Sequence, residues 1–170
     1  PGIVRVYRGD SREVNLISPG PYDTVITSPP YPNRMSYIRE LRPYMYWLGY
    51  LDDGREAGEL DWQAIGGTWG SATSRLQHWQ PNSDLIEHEG FNSMVDSIAG
   101  SSPLLARYVH KYFIDMAHHL QSLKTVLVPG GQVYYIVGNS KFYDTLVPVE
   151  HIFASLLKQT GFDNVQIETV

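Results

Sequence analysis

The run Thr27-Ser28-Pro29-Pro30-Tyr31 gathers the residue types in this chain best suited to chemistry. Two successive prolines have no backbone N–H to donate and hold φ nearly fixed, so the carbonyls of Ser28 and Pro29 are presented rigidly as acceptors. The Ser28 hydroxyl adds a further acceptor, and the Tyr31 ring adds a flat apolar face. Together they form a socket for a planar ring bearing an NH2 group: the acceptors bind the amine hydrogens while the ring stacks on Tyr31. Held in this way, the amine lone pair turns out of conjugation and toward an electrophile, which is what direct group transfer to a weak nucleophile requires. No strong base is needed. A Pro-Pro pair alone merely ends a strand; the full pentapeptide placed directly after one points to a site.

The flanking elements must hold that loop in place. Ile3 to Tyr7 is a short β-branched run ending at Gly9-Asp10, and Tyr22 to Thr27 is a second ending at Ser28; both predict buried strands. Open α/β sheets keep their ligand sites beyond the carboxyl ends of strands, where Ser28 falls. Met35 to Leu51 predicts a helix with Tyr37, Leu41, Tyr44 and Leu48 on one face and a bend at Pro43. Residues 52 to 100 lose periodicity and carry Trp62, Trp69 and Trp79, which predicts an irregular insertion, functional or mobile, with its tryptophans anchored to the core or serving as a lid.

Order returns at Ser102, a predicted N-cap, and Pro103 at the first helical position, followed by Leu105, Val109, Tyr112, Phe113, Met116, Leu120 and Leu123 on one stripe. Pro129-Gly130-Gly131 is read as a turn into a strand over Gln132 to Val137, closed by Gly138-Asn139-Ser140. A helix over Pro148 to Thr160 ends at Gly161 and leads to a last strand, Val165 to Val170. Strand, crossover helix, strand, helix, strand predicts one α/β domain over residues 1–170, a mostly parallel sheet with helices on both faces. Both ends fall at or inside predicted strands and read as cut.

Ser28-Pro29-Pro30-Tyr31 resembles the catalytic tetrapeptide of the DNA amino-methyltransferases, in which Asp, Asn or Ser precedes Pro-Pro and an aromatic residue. Pro32-Asn33-Arg34 with the helix after it, Ile65-Gly66-Gly67-Thr68-Trp69-Gly70 and Ile136-Val137-Gly138-Asn139-Ser140 are similar to one bacterial branch of that family, so the resemblance covers most of the chain. It implies a Rossmann-like fold, S-adenosylmethionine as cofactor, DNA as partner and a role in a restriction-modification system. It also implies that Ser28 and Pro29 hold the target amino group of a flipped base, that Tyr31 stacks on it and that Pro30 shapes the loop. The serine form is similar to cytosine-N4 enzymes more often than to adenine-N6 ones. Asp10 matches the acidic residue that binds the cofactor adenine, with a turn or helix cap as the plainer reading. Asn33 and Arg34 are candidates for substrate contacts. Arg34, Arg39 and Arg42 can meet phosphates or, with Glu40, form a solvated helix face. Asn139 and Ser140 fall on the same sheet edge as Ser28 and are candidates to border the base pocket.

The chain departs from the family in lacking a Phe-x-Gly-x-Gly loop after a strand and an acidic residue for the ribose; Gly130-Gly131 precedes a strand instead. It is therefore read as truncated in its N-terminal half, with the missing parts upstream, on a second subunit or homo-oligomer, or lost. The net charge of -5 gives no broad basic surface. The absence of cysteine excludes disulfides and the thiolate that cytosine carbon-5 methylation needs. His118 and His119 are adjacent on a helix and point apart, so no metal is expected there. No membrane span or signal peptide is read, which makes the cytoplasm the default. Two other readings remain: methyl transfer to RNA or protein, and a non-catalytic module that docks through its sheet edge.

Overall fold

In the computed structural model, which describes residues 2–18, 20–32, 36–67, 71–81 and 86–169, a 3-10 turn at Ser11–Glu13 is followed by α1 (Val14–Ile17) and β1 (Tyr22–Thr27). Next come α2 (Tyr37–Trp47), α3 (Gly54–Gln63), α4 (Ser71–His78), α5 (Phe91–Ser101) and α6 (Pro103–Lys124). The chain closes with β2 (Leu127–Tyr135), β3 (Ser140–Phe142), β4 (Thr145–Val147) and α7 (Val149–Thr160).

α6 starts as predicted, with the Ser102 side chain accepting from the Leu105 N–H and Pro103 in the first turn, where a missing N–H leaves nothing unpaired. Its predicted stripe from Leu105 to Leu123 is buried throughout. It packs on α4, α5 and α7, and Leu76, Phe91, Ile98, Ile152 and Phe153 join it in one core cluster. Each such side chain contributes about 1.5–3 kcal/mol on burial. α7 ends at Gly161 in the left-handed region, φ 86°, and Lys124 at the end of α6 donates to the Thr160 and Gly161 carbonyls at 2.7 and 3.0 Å. The two helix ends are thereby locked together, with a cation at a carbonyl-rich terminus.

β1 and β2 pair in parallel, from Thr24 opposite Gln132 to Thr27 opposite Tyr135, with α6 in the connection between them. The α/β class is as predicted, but among the described residues the parallel sheet has two strands. Pro129-Gly130-Gly131 does not precede β2; it lies inside it, where the register jumps between the Tyr22–Leu127 and Thr24–Gln132 pairs. The antiparallel hairpin of β3 and β4 was not foreseen.

Further expectations are corrected. Residues 3–7 form no strand, and Val6 is 92% exposed; residues 165–169 form none either. A β-branched run becomes a strand only where another strand meets its N–H and C=O groups, and neither run has one among the described residues. β1 is covered on one face only: Ile26 is 71% exposed, alongside exposed Tyr134 and Ile136. The apolar stripe of α2, from Tyr37 through Leu41 and Tyr44 to Leu48, is exposed as well. Finally, the span 52–100 is not irregular but holds α3, α4 and α5. Asp53 starts α3 by accepting from the Arg55 and Glu56 N–H groups, and such short helices hide their period among glycines and serines. Trp62 and Trp79 pack against the core cluster, the anchoring alternative; Trp69 lies outside the described residues.

His119 ties α6 to two of these elements. Its Nδ1 lies 2.8 Å from the Ser11 carbonyl and its Nε2 2.7 Å from the Tyr135 hydroxyl. A carbonyl only accepts, so Nδ1 carries a hydrogen, and in the neutral ring that burial favours Nε2 accepts from the Tyr135 hydroxyl. Burial pushes its pKa below the ordinary 6.5, with the Ser11 contact and Asp10 opposing. The unfolded chain therefore takes up the proton first as pH falls through 6.5, and the fold loses stability. Burial lowers the His88 pKa too, adding to the same slope. The urea midpoint is expected to drop between about pH 7.5 and 5.5, and His119→Gln to flatten that drop in part. A midpoint equally pH-dependent in the variant would refute the assignment.

Candidate active site

The Thr27 carbonyl accepts from the Ile136 N–H at 3.0 Å, so the chain leaves β1 beside Ile136. There Ser28 Oγ donates to the Ile136 carbonyl at 3.2 Å. A hydroxyl has a single hydrogen, and with that hydrogen spent on a carbonyl the Ser28 oxygen is left to accept. Tyr31 Oη lies 3.2 Å from the same oxygen and is then the donor of that contact. Ser28 is exposed and Tyr31 half-buried, while Pro29 and Pro32 are buried. Gly138, just beyond β2, adjoins the Tyr31 ring: a Cβ there would lie 4.0 Å from Cε2.

The loop is backed from the core side. The Pro30 carbonyl accepts from Tyr112 Oη of α6 at 2.7 Å. Gly66 covers the same spot with φ 80°, and a Cβ on it would stand 3.6 Å from the Tyr108 hydroxyl and 3.9 Å from both Pro30 Cβ and the Tyr112 ring. Next to it, a Cβ on Gly67 would fall 1.6 Å from the Asp61 carbonyl oxygen. Buried Asp61 accepts from the Ser36 hydroxyl, and Ser36 in turn caps α2 by accepting from the Arg39 N–H at 3.0 Å. Thus Ile65-Gly66-Gly67 closes over the back of the loop.

Asp10 sits elsewhere on the same support. Its carboxylate caps the Ser11–Glu13 turn through the Arg12 N–H at 2.9 Å and takes three contacts from the Arg12 guanidinium at 2.6 to 3.1 Å. The hydrogen bonds from Arg12 hold its pKa below the usual carboxylate range. Arg12 also reaches Asp115 of α6 at 2.9 Å and the Gln63 carbonyl at 2.6 Å, and Lys111 reaches Asp115 at 2.6 Å. Burial works against the Arg12 charge, but Asp10 and Asp115 outweigh it and raise its pKa. Asp115 and Tyr112 are one turn apart on α6, so the Asp10 segment and the Ser28–Pro32 loop hang from adjacent turns of one helix. The cap, then, is realised. As a holder of S-adenosylmethionine the set does not fit unaided: Arg12 occupies both Asp10 oxygens, and the loops after β1 and β2 lack a run of glycine N–H groups.

Among the other predicted residues, Asn33 and Arg34 lie outside the described residues. Asn139 points its amide at Glu150 of α7, 2.7 Å away, and Ser140 is buried at the start of the β3–β4 hairpin. Arg42 donates to the Tyr46 hydroxyl on its own helix at 3.2 Å. The contributions of Ile136, Gly138 and Tyr112 were missed. Tyr112 carried the readable signal, a hydroxyl set in an apolar stripe that must find a partner once buried. Among the described residues no group of three or more His, Asp or Glu is placed to hold a metal.

Comparison with known proteins supplies one finding. The chain is similar to a methyltransferase. Over 174 aligned residues, 91% of this chain, it is 21% identical to the type II methyltransferase M.BsoBI of Geobacillus stearothermophilus. It spans 34% of that protein, about a third of its length. No protein-family model and no solved structure matches. No helix among the described residues is long and apolar enough to cross a membrane.

The glycine turn behind the loop gives a direct check. Gly66→Ala places a side chain in the left-handed region at a cost of about 1–2 kcal/mol. Gly67→Ala forces the backbone off Asp61 and should lower the urea-derived stability by clearly more. Equal or negligible losses in the two variants would contradict the packing described.

Proposed function

We propose that this chain is the catalytic part of an S-adenosylmethionine-dependent DNA amino-methyltransferase with a Rossmann-like sheet, acting on an exocyclic base nitrogen, cytosine N4 ahead of adenine N6. The observation that carries the reading is the direction of the Ser28 hydrogen. Spent on the Ile136 carbonyl, it leaves Ser28 Oγ an acceptor at the carboxyl end of a parallel strand. The Pro29 carbonyl is read as the second acceptor, and the Tyr31 hydroxyl lies 3.2 Å from Ser28 Oγ. A flipped base stacked on Tyr31 would donate its two amine hydrogens to these acceptors, freeing the nitrogen lone pair from the ring. S-adenosylmethionine supplies an electrophilic methyl group in such enzymes. Similarity to a type II methyltransferase supports the reaction class.

Part of the enzyme is assigned to another polypeptide segment, a second subunit or a second copy. The chain exposes 10772 Å², against roughly 8,500 Å² for a compact monomer of its mass. Parallel sheets are ordinarily covered on both faces, whereas Ile26, Tyr134 and Ile136 are exposed here. A partner laid on that face would restore the second layer that a parallel sheet ordinarily carries. Asn33 and Arg34 are assigned to DNA contact, with Asn139 and Ser140 bordering the base site. The same uncovered face favours a second reading, a non-catalytic assembly module.

Incubation with labelled S-adenosylmethionine and DNA, followed by nucleoside analysis, decides between them. N4-methylcytosine, with N6-methyladenine as the second choice, is expected, and Ser28→Ala should lower the rate by about a hundredfold or more, the scale of losing one preorganised hydrogen-bonding group. DNA without label, from the chain alone and from its native assembly, leaves only the assembly reading.

A further inference from the structure

The loop that carries Ser28 cannot hold itself. Pro29, Pro30 and Pro32 have no N–H, so within residues 28–32 only Ser28 and Tyr31 have a backbone donor. Its carbonyls must be oriented by donors from outside. Tyr112 is such a donor: it is 1% exposed, sits in the middle of α6 and places its hydroxyl 2.7 Å from the Pro30 carbonyl. Gly66 packs at the same point, where a Cβ would lie 3.6 Å from the Tyr108 hydroxyl and 3.9 Å from both Pro30 Cβ and the Tyr112 ring. Burial also raises the Tyr112 pKa, so its hydroxyl remains a donor across the working range of pH.

We propose that Tyr112 is a positioning residue for the amine-binding loop: its hydroxyl draws the Pro30 carbonyl inward and so fixes the orientation of the Pro29 carbonyl and the Ser28 hydroxyl. Successive peptide planes are coupled through the fixed proline φ angles, and pinning one carbonyl therefore sets the next. The inference rests on reading Ser28 and Pro29 as the acceptors for the target amine. It assigns to a residue of the core stripe a task that packing alone does not require, because phenylalanine would fill the same volume.

The test pairs Tyr112→Phe with Ile152→Val, a core change on α7. Positions of the Ser28 and Tyr31 amide resonances report the loop directly, and steady-state methylation of DNA reports its use. Tyr112→Phe is expected to shift both resonances and to lower kcat about ten- to a hundredfold, the scale of a misplacement near one ångström, with KM for DNA unchanged. Ile152→Val should change neither. Resonances unmoved in Tyr112→Phe, or moved equally in Ile152→Val, overturn the positioning role, as does an unchanged kcat. A wild-type protein that methylates nothing removes the proposed reaction; the resonances still decide whether Tyr112 sets the loop.

Discussion

A long helix buried on most sides can be stripped of water only if its polar groups find partners inside the fold, and α6 meets this condition with groups drawn from every segment that matters to the site. Tyr112 takes the Pro30 carbonyl, Asp115 takes Arg12 and Lys111, and His119 bridges Ser11 and Tyr135. The apolar stripe supplies the drive to bury α6, and these polar contacts determine what is held against it. The candidate loop and the Asp10 turn are thus placed by one helix, with a spacing fixed by its pitch.

The chemistry of the loop follows from which hydrogens are already committed. Proline removes donors, the Ile136 carbonyl takes the Ser28 hydrogen and Tyr112 occupies the Pro30 carbonyl. What these commitments leave at Ser28 is an exposed hydroxyl oxygen that accepts, close to the Tyr31 side chain. Such an oxygen discriminates between ligands by their N–H groups, because a buried acceptor left without a hydrogen costs more than a neutral contact gains.

Much of this was legible in the chain. The end of β1, the cap and stripe of α6 and the Gly161 stop of α7 each depend on local chemistry, and each is found as read. The runs at 3–7 and 165–169 have strand composition but no neighbour among the described residues, and strand formation depends on that neighbour. α3, α4 and α5 escaped because short helices with glycine and serine show little period. For the site, Ser28, Pro29, Pro30 and Tyr31 stood out by type and spacing. Ile136, Gly138 and Tyr112 act through a carbonyl, a missing side chain and a hydroxyl more than 80 residues away in sequence, features that only the folded chain brings together.

The central claim is that the outward face of this loop accepts hydrogens from an exocyclic amine. Its most direct test is the affinity for two duplexes that differ at one unpaired base, cytosine in one and thymine in the other, measured by fluorescence anisotropy. Cytosine carries the amine and thymine an oxygen in its place, so the account predicts tighter binding of the cytosine duplex by about tenfold, roughly 1.4 kcal/mol. Equal affinity, or a preference for thymine, would contradict it.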